Sequence, residues 1–249
     1  MTASSLSMLL AIAATFFAAG MVKGVTGMGL PTVAMGVLGA LISPLAAANL
    51  LIVPSFITNV WQLLAGPAFT PLTRRLWPMM LAICIGTVVG AAWLASGESE
   101  TTTAVLGITL VIYAGYTLLM RQVRVKKQFE RWLSPLIGAL TGLVTGGTGV
   151  FVIPAVPYLQ ALGLSRDELV QALGLSFTVS TVALAIGLGA HGAIELQGLG
   201  WSLLALAPAL AGMWAGQVLR GSISPTAFRY LFLIFLLLLG AEMASRPFY

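Results

Sequence analysis

The chain has 249 residues, of which 59% are hydrophobic and only 8% are charged. Soluble domains carry about 25% charged residues, so this chain has too few polar residues to cover a water-exposed globule, and its composition predicts a membrane protein. The net charge of +5 is not gathered into a basic face with interleaved aromatic residues, which argues against nucleic acid as a partner.

Residue types that carry enzyme chemistry are scarce. The chain has one cysteine, Cys84, inside an apolar run, and one histidine, His191. All seven acidic residues fall in predicted loops or at segment ends, so no mid-membrane carboxylate is expected as a proton relay. The sequence has no Ser-His-Asp set, Cys/His cluster or phosphate-binding loop, and we therefore expect no enzyme, no cofactor and no metal site.

Ten apolar segments, taken in chain order, predict an all-α membrane protein. A full crossing needs about 20 residues, and the second, sixth and seventh segments are shorter than that. These three suit half-helices, a re-entrant hairpin, or short helices packed inside the protein. The predicted segments are 4–22, 28–42, 45–65, 77–95, 102–120, 135–146, 149–163, 168–190, 199–219 and 225–243.

Two glycine-rich stretches interrupt the apolar pattern, one in each half of the chain. The first break, residues 20–31, reads GMVKGVTGMGLP, and the second break, residues 142–154, reads GLVTGGTGVFVIP. Glycine allows close approach of backbones and weakens a helix. Paired breaks at matching positions in two halves of a hydrophobic chain are typical of the binding site of a transporter.

Short local patterns predict helix starts and close helix contacts. A hydroxyl residue before a proline suits a capped first turn, as does a capping box. Glycines spaced four residues apart predict close helix crossings. The predicted starts are Ser43-Pro44, Thr70-Pro71, Ser134-Pro135, Ser165–Glu168 and Ser224-Pro225, and the glycine pairs are Gly86/Gly90, Gly138/Gly142 and Gly212/Gly216.

Three matches in the same order predict an internal repeat of five segments. Gly27 and Gly29 align with Gly147 and Gly149, the run after Asn49 aligns with the run after Gln171, and Gly86/Gly90 align with Gly212/Gly216. We therefore divide the chain into a first repeat (1–120), a basic connecting loop (121–134) and a second repeat (135–249). Five crossings in each repeat would insert the second repeat upside down, as a polytopic bundle of two inverted repeats.

The distribution of charge supports this inverted arrangement. With strict alternation of crossings, one side receives most of the basic residues, which predicts that it is cytoplasmic, in a multi-pass protein of the cytoplasmic membrane with both termini outside. Parallel repeats would place Arg166 and Arg220 on the wrong side. The basic side has Lys23, Arg74, Arg75, Arg121, Arg124, Lys126, Lys127, Arg131, Arg166 and Arg220, and the other has Glu98, Glu100, His191 and Glu195.

Polar residues inside the apolar segments are mostly neutral, and they predict a site for a small anion. Hydroxyls, amides and free helix N-termini donate hydrogen bonds to an oxyanion. Lys23 is the cation within the breaks, and it either contacts the substrate or extends to the interface. The candidate substrate-binding residues are Lys23, Gly24, Thr26, Gly27, Gly29, Asn49, Asn59, Thr145, Gly146, Gly147, Thr148, Gly149, Gln171, Ser176 and Thr178. We expect both breaks, with Asn49 and Gln171, to face one cavity near mid-depth.

The chain resembles the sulfite exporter TauE/SafE family of membrane permeases. The resemblance rests on the two breaks, on the apolar segments with scattered polar residues that follow them, and on the basic loop. The resemblance covers nearly the whole chain. It implies transport of a sulfur oxyanion or an organosulfonate, such as sulfite, thiosulfate or sulfoacetate. We expect alternating access at a midplane site in a lipid bilayer. The alternatives are an anion channel of the same fold and a non-transporting assembly or scaffold subunit; a homo-oligomer is left open.

Overall fold

The computed structural model describes residues 3–97, 99–119, 124–194 and 196–248. These residues form ten α-helices and one short 3₁₀ turn, and each predicted segment overlaps one helix, although α7 covers only 155–161 of the predicted 149–163. Seven of the helices are long and apolar enough to cross a membrane. The helices are α1 (Ala3–Thr26), α2 (Leu30–Leu41), α3 (Pro44–Leu64), α4 (Phe69–Ala95), α5 (Ser99–Leu119), α6 (Lys127–Thr148), α7 (Ala155–Ala161), α8 (Arg166–Ala190), α9 (Leu196–Leu219) and α10 (Pro225–Ser245), followed by the turn Arg246–Phe248.

Two short helices lie inside the protein. Helix α2 has 12 residues and α7 has 7, and most residues of each are buried. Neither is long enough to cross a bilayer upright. Among the predicted alternatives for these segments, the structure agrees with short helices packed inside the protein.

Helix α6 differs from its prediction because it begins at Lys127 instead of residue 135. The predicted connecting loop 121–134 is therefore wrong from residue 127 onward. The stretch 127–133 is rich in Lys, Gln, Glu, Arg and Leu, all good helix formers, so it extends the helix beyond the apolar segment. Residues 120–123, Glu98 and Glu195 lie outside the described residues.

Three of the five predicted helix starts are confirmed. The hydroxyls of Ser43, Ser165 and Ser224 each accept a backbone N–H from the first turn, and Ser165 forms the predicted capping box. The Thr70 and Ser134 predictions are wrong, since α4 begins at Phe69 and Ser134 lies within α6. Pro71 lies in the first turn of α4, where its missing N–H would have no intrahelical partner, and Pro135 lies inside α6 after the helix-forming stretch 127–133.

The predicted close glycine contacts are confirmed between α4 and α6. A Cβ on Gly138 would lie 2.4 Å from the Met79 carbonyl oxygen. A Cβ on Gly146, two turns later, would lie 2.3 Å from the carbonyl oxygen of Thr87. The contact partner on α4 moves from Met79 to Thr87 as the glycine on α6 moves from Gly138 to Gly146. Residue numbers rise together in both helices, so α4 and α6 run in the same direction.

Helices α1 and α9 repeat this arrangement. A Cβ on Gly20 would lie 2.1 Å from the Ala209 carbonyl oxygen, and a Cβ on Gly24 would lie 2.2 Å from that of Met213. Gly212 on α9 lies equally close to α1. Small residues at these positions let the two backbones pack closely, and α1 runs parallel to α9.

Helix α3 packs antiparallel to α8 and carries Pro54 in its interior. Proline has no N–H, so it leaves the Leu50 carbonyl without its helical donor. Ser202 of α9 fills this role: its hydroxyl donates to the Leu50 oxygen at 2.8 Å and accepts from Val53 N at 3.1 Å. The part of α3 around Pro54 is thereby tied to α9.

Most basic side chains gather at one end of the bundle, which we call the basic end. Arg75 at the start of α4 pairs with Glu130 at the start of α6, with an Nε to Oε1 distance of 2.6 Å. Its guanidinium also donates to the Leu162 carbonyl after α7 at 3.3 Å. The C-terminal ends of α1, α3 and α9 and the N-terminal end of α8 lie at this same end, around one cavity.

Candidate functional site

A cavity of about 360 Å³ opens at the basic end between α1, α3, α8 and α9. We call it the lysine cavity. Its outer wall includes Arg166, which is exposed, and Arg220, which is half-buried. Its inner wall includes Lys23, whose exposed fraction is only 4%. The cavity therefore joins two surface cations to a buried one.

Lys23 is held by two neutral side chains of α3. Its ammonium nitrogen donates to Thr58 Oγ1 at 3.1 Å and to Asn59 Oδ1. The alternative in which Lys23 extends to the interface is wrong, because the side chain is buried and bonded inward. Among the described residues lining this cavity, none is acidic. A buried cation normally has a charged partner, so this environment leaves room for an anion.

Asn59 adds an unused donor beside Lys23. Its side chain is fully buried, and among the described residues its Nδ2 has no hydrogen-bond partner. The amide oxygen accepts from Lys23, so both N–H groups of the amide nitrogen are available to a ligand. An unpaired buried donor costs about 1–3 kcal/mol, which an oxyanion at this position would recover.

Three serine hydroxyls on the packed helices α3 and α8 are also buried and unpartnered within the described part of the chain. They are Ser55, Ser176 and Ser180. Ser176 belongs to the predicted set. The other predicted hydroxyl of α8, Thr178, donates to the Gly174 carbonyl of its own helix at 2.7 Å.

The first break forms part of the wall of the lysine cavity. Gly27 and Gly29 have φ angles of 79° and 102°, a region that L-residues rarely adopt. Gln62 of α3 holds this shape, since its Nε2 donates to the Gly27 carbonyl at 3.0 Å and to the Val170 carbonyl at 2.8 Å. The hydroxyl of Thr26 accepts from Met28 N at 3.2 Å. Gly24 lines the cavity and also packs against α9.

The second break has the same kind of local bonding. Thr145 donates to the Val150 carbonyl at 3.2 Å, and Thr148 donates to that of Val144 at 2.7 Å. Gly146 packs against α4, whereas a Cβ on Gly147 would meet no atom within 4 Å. Gly149 ends α6 with a φ of 70°.

The lysine cavity includes residues of the first break and none of the second, so the expectation that both breaks face one cavity stays a prediction. The first break lies at the basic end beside Gln62, whereas α6 starts at that end and reaches its break after 22 residues, a length of about 33 Å. Gly149 lies against the side chain of Met35 on α2. None of the residues 145–149 belongs to the wall of the lysine cavity.

Asn49 and Gln171 are not brought together either. Gln171 donates to the carbonyls of Leu63 and Gly66 at 2.7 and 2.8 Å, in the connection after α3. Asn49 donates to the Ala193 carbonyl at 3.0 Å, in the connection after α8. Because α3 and α8 are antiparallel, these contacts lie at opposite ends of the pair. Each amide secures the connection that follows the other helix.

The polar residues of the lysine cavity outside the predicted substrate-binding set are Thr58, Gln62, Arg166, Gln217 and Arg220. Thr58 and Gln62 are four residues apart on α3, with Asn59 between them, so helical spacing places them on the side that meets Lys23. Arg166 and Arg220 were assigned only to the basic side. Their approach to Lys23 depends on the packing of α8 and α9 against α1 and α3, which no local pattern encodes.

Comparison with known protein families identifies the chain. The family described as Sulfite exporter TauE/SafE matches residues 12–243, which include both breaks and extend from α1 into α10. Searches of curated proteins and of solved structures found no match. The seven long apolar helices are those of a multi-pass transmembrane protein. On the match over nearly its whole length, the chain belongs to the sulfite exporter TauE/SafE family of membrane transporters.

Proposed function

We propose that this protein is a permease that carries a small sulfur-containing anion, sulfite or an organosulfonate such as sulfoacetate, across the cytoplasmic membrane. One observation carries the proposal: Lys23 is buried at the inner wall of a cavity that has arginines at its outer wall and, among its described residues, no acid. In a low-dielectric site such a cation favours an anionic ligand.

The residues around Lys23 suggest how the anion is bound. Arg166 and Arg220 raise the local concentration of anions at the basic end. Lys23 and the free Nδ2 of Asn59 then donate to the oxyanion, and bonds to a charged ligand are about twice as strong as neutral ones. In this proposal the first break shapes the cavity, whereas Asn49, Gln171 and the second break maintain the helical framework.

Helix pairing supports two inverted repeats, residues 1–120 and 135–249, with residues 121–134 between them. In two five-helix repeats, α1 corresponds to α6 and α4 corresponds to α9. The parallel pair α1 and α9 therefore has its counterpart in the parallel pair α6 and α4. Helix α3 is antiparallel to its counterpart α8. On this basis we propose alternating access, in which one repeat moves against the other. The lysine cavity would open to the cytoplasm, the side that positive residues favour.

Reconstituted protein tests this function. Liposomes preloaded with unlabelled sulfite should transiently accumulate labelled sulfite through the wild-type protein, whereas Lys23→Met should show no counterflow. Lys127→Met, an equal change at an exposed lysine of the basic end, should retain it. Counterflow by Lys23→Met would contradict the assigned site, and an ohmic anion current without counterflow would favour a channel.

A binding measurement separates the transporter from a scaffold subunit. A bound ligand at 100 times its dissociation constant should stabilise the protein by about 2.7 kcal/mol. We expect sulfite, sulfoacetate or thiosulfate to raise the melting temperature of the purified protein. If none of them does so, the scaffold alternative is favoured.

A further inference from the structure

We propose that Lys23 binds a proton together with the anion, so that the protein couples anion binding to proton uptake. In the empty cavity Lys23 is a neutral amine, and it takes a proton from water when the anion enters. This inference rests on the proposed function, because it requires an anionic ligand in the lysine cavity.

The hydrogen bonds of Lys23 match the neutral form. A neutral amine has two N–H bonds, and the structure provides two acceptors, Thr58 Oγ1 and Asn59 Oδ1. An ammonium has a third N–H, for which the described residues offer no acceptor. An oxyanion supplies both this acceptor and the negative charge that stabilises the protonated form.

The helices around Lys23 offer no compensating negative charge within the described residues. Helix α3 presents neutral Thr58 and Gln62, and α9 presents Gln217, with Arg220 beyond its C-terminal end. Helix α8 contributes Arg166. Helix α2 has no titratable residue, and α1 has none besides Lys23 among its described side chains.

Neighbouring titratable groups lie elsewhere at the basic end. Arg229 and Tyr230 of α10 line a separate cavity, which shares Arg220 with the lysine cavity. Asp167 is exposed at the start of α8, and the carboxylate of the half-buried Glu168 accepts from Ser165 N at 2.8 Å in the capping box. The fixed charges that line the two cavities are therefore positive, and they disfavour a charged Lys23 until an anion arrives.

The coupled step balances in charge and protons. A new N–H bond forms on the amine with a proton that the bulk solution supplies, and the resulting ammonium pairs with the anion, so the uptake of one proton balances one negative charge. A monoanion such as bisulfite then crosses the membrane with a proton and carries no net charge, whereas a dianion such as thiosulfate or sulfoacetate carries one net negative charge instead of two. This matters because the membrane potential acts on any charge that crosses without compensation.

Proton uptake on binding tests the inference directly. Purified protein in weak buffer at about pH 8, with a pH indicator, is titrated with thiosulfate and separately with sulfoacetate, neither of which gains a proton near neutral pH. The wild-type protein should take up about one proton per bound anion. Its dissociation constant should rise about tenfold for each further pH unit, since binding then requires the proton.

Two variants assign the proton to Lys23. Lys23→Arg keeps a permanent charge, so it should bind the anion without proton uptake and with little dependence on pH. Asn59→Asp supplies a fixed negative partner, so Lys23 is already charged and anion binding should weaken by at least tenfold. The exposed-site control Lys127→Arg should behave like the wild type in both measurements.

The possible results are distinct. Binding by the wild type without proton uptake, or uptake that persists in a folded Lys23→Arg protein, would overturn the inference while leaving the proposed function intact. If Lys23→Arg does not bind the anion while the wild type takes up a proton normally, the Asn59→Asp variant decides. Unchanged anion binding by Asn59→Asp would then contradict the inference. If no sulfur anion binds the wild type at all, the proposed function itself is contradicted, and the inference falls with it.

Discussion

At the scale of single residues, two asparagines of α3 have different surroundings although the same sequence argument selected both. Asn59 bonds Lys23 and keeps a free donor, whereas Asn49 bonds the Ala193 carbonyl near the opposite end of the helix. Burying an amide in a membrane protein costs free energy unless the amide is hydrogen-bonded. The sequence therefore predicts that each asparagine has a partner, but it does not identify that partner.

We expect Asn59→Leu to weaken anion binding by about 1.5–3 kcal/mol, or about 10- to 150-fold, because a hydrogen bond to a charged group is lost. Calorimetric titration of the purified protein with sulfite measures the dissociation constant. Asn49→Leu, the same change on the same helix, should leave that constant unchanged. Equal losses in the two variants would contradict the assignment of the site to Lys23 and Asn59.

Gln171 illustrates a polar residue whose role is architectural. Its amide bonds three backbone groups between Leu63 and Ala68. Gln171→Leu should lower the free energy of unfolding by roughly 1–3 kcal/mol for each backbone group left unpaired, which thermal unfolding would show as a lower melting temperature. The sulfite dissociation constant of the folded protein should be unchanged, and a specific loss of affinity with normal stability would show that Gln171 reaches the anion.

At the scale of elements, close packing of glycine against backbone joins α4 to α6. A Cβ on Gly142 would lie 2.4 Å from the Ile83 carbonyl oxygen, whereas a Cβ on Gly115 would meet no atom within 4 Å. The two helical glycines therefore form a matched pair for one substitution. The difference between them lies in the neighbouring helix, because the change in helix propensity is the same.

Gly142→Ala should destabilise the protein, because α4 and α6 must move apart to admit the methyl group. Gly115→Ala should instead stabilise it by up to about 1 kcal/mol, the usual gain when alanine replaces glycine in a helix. Thermal unfolding of the two purified variants measures this. Similar melting temperatures for both would mean that α4 and α6 are not in close contact.

At the scale of the whole molecule, charge and helix pairing lead to one topology. The start of α6 and the cation-lined cavity share the basic end, while α5 begins at the other. In a Cys84→Ala background, single cysteines at Arg124 and Glu100, both exposed, should react with an impermeant maleimide from opposite sides of the membrane. Arg124→Cys should be cytoplasmic, and labelling of both sites from one side would exclude the inverted arrangement.

Much of the framework could be predicted from sequence because it depends on local and compositional signals. Low charge and long apolar runs determine a membrane-spanning helical protein, and ten segments yield ten helices. The capping hydroxyls of Ser43, Ser165 and Ser224 are local as well. Glycine spacing identified the packing surfaces because only small residues allow such approach. Even here, the start of α6 was missed, since helix-forming polar residues extend it past its apolar part.

Tertiary structure alone decided which polar groups form a site. Lys23, Asn59, Arg166 and Arg220 come from widely separated parts of the sequence, and they meet only because α1, α3, α8 and α9 pack at one end. The second break resembles the first in sequence but ends at α2, away from the lysine cavity. A buried polar side chain in an apolar helix costs free energy unless it is hydrogen-bonded, so its presence in the sequence predicts a partner. The identity of that partner follows from the packing of distant helices.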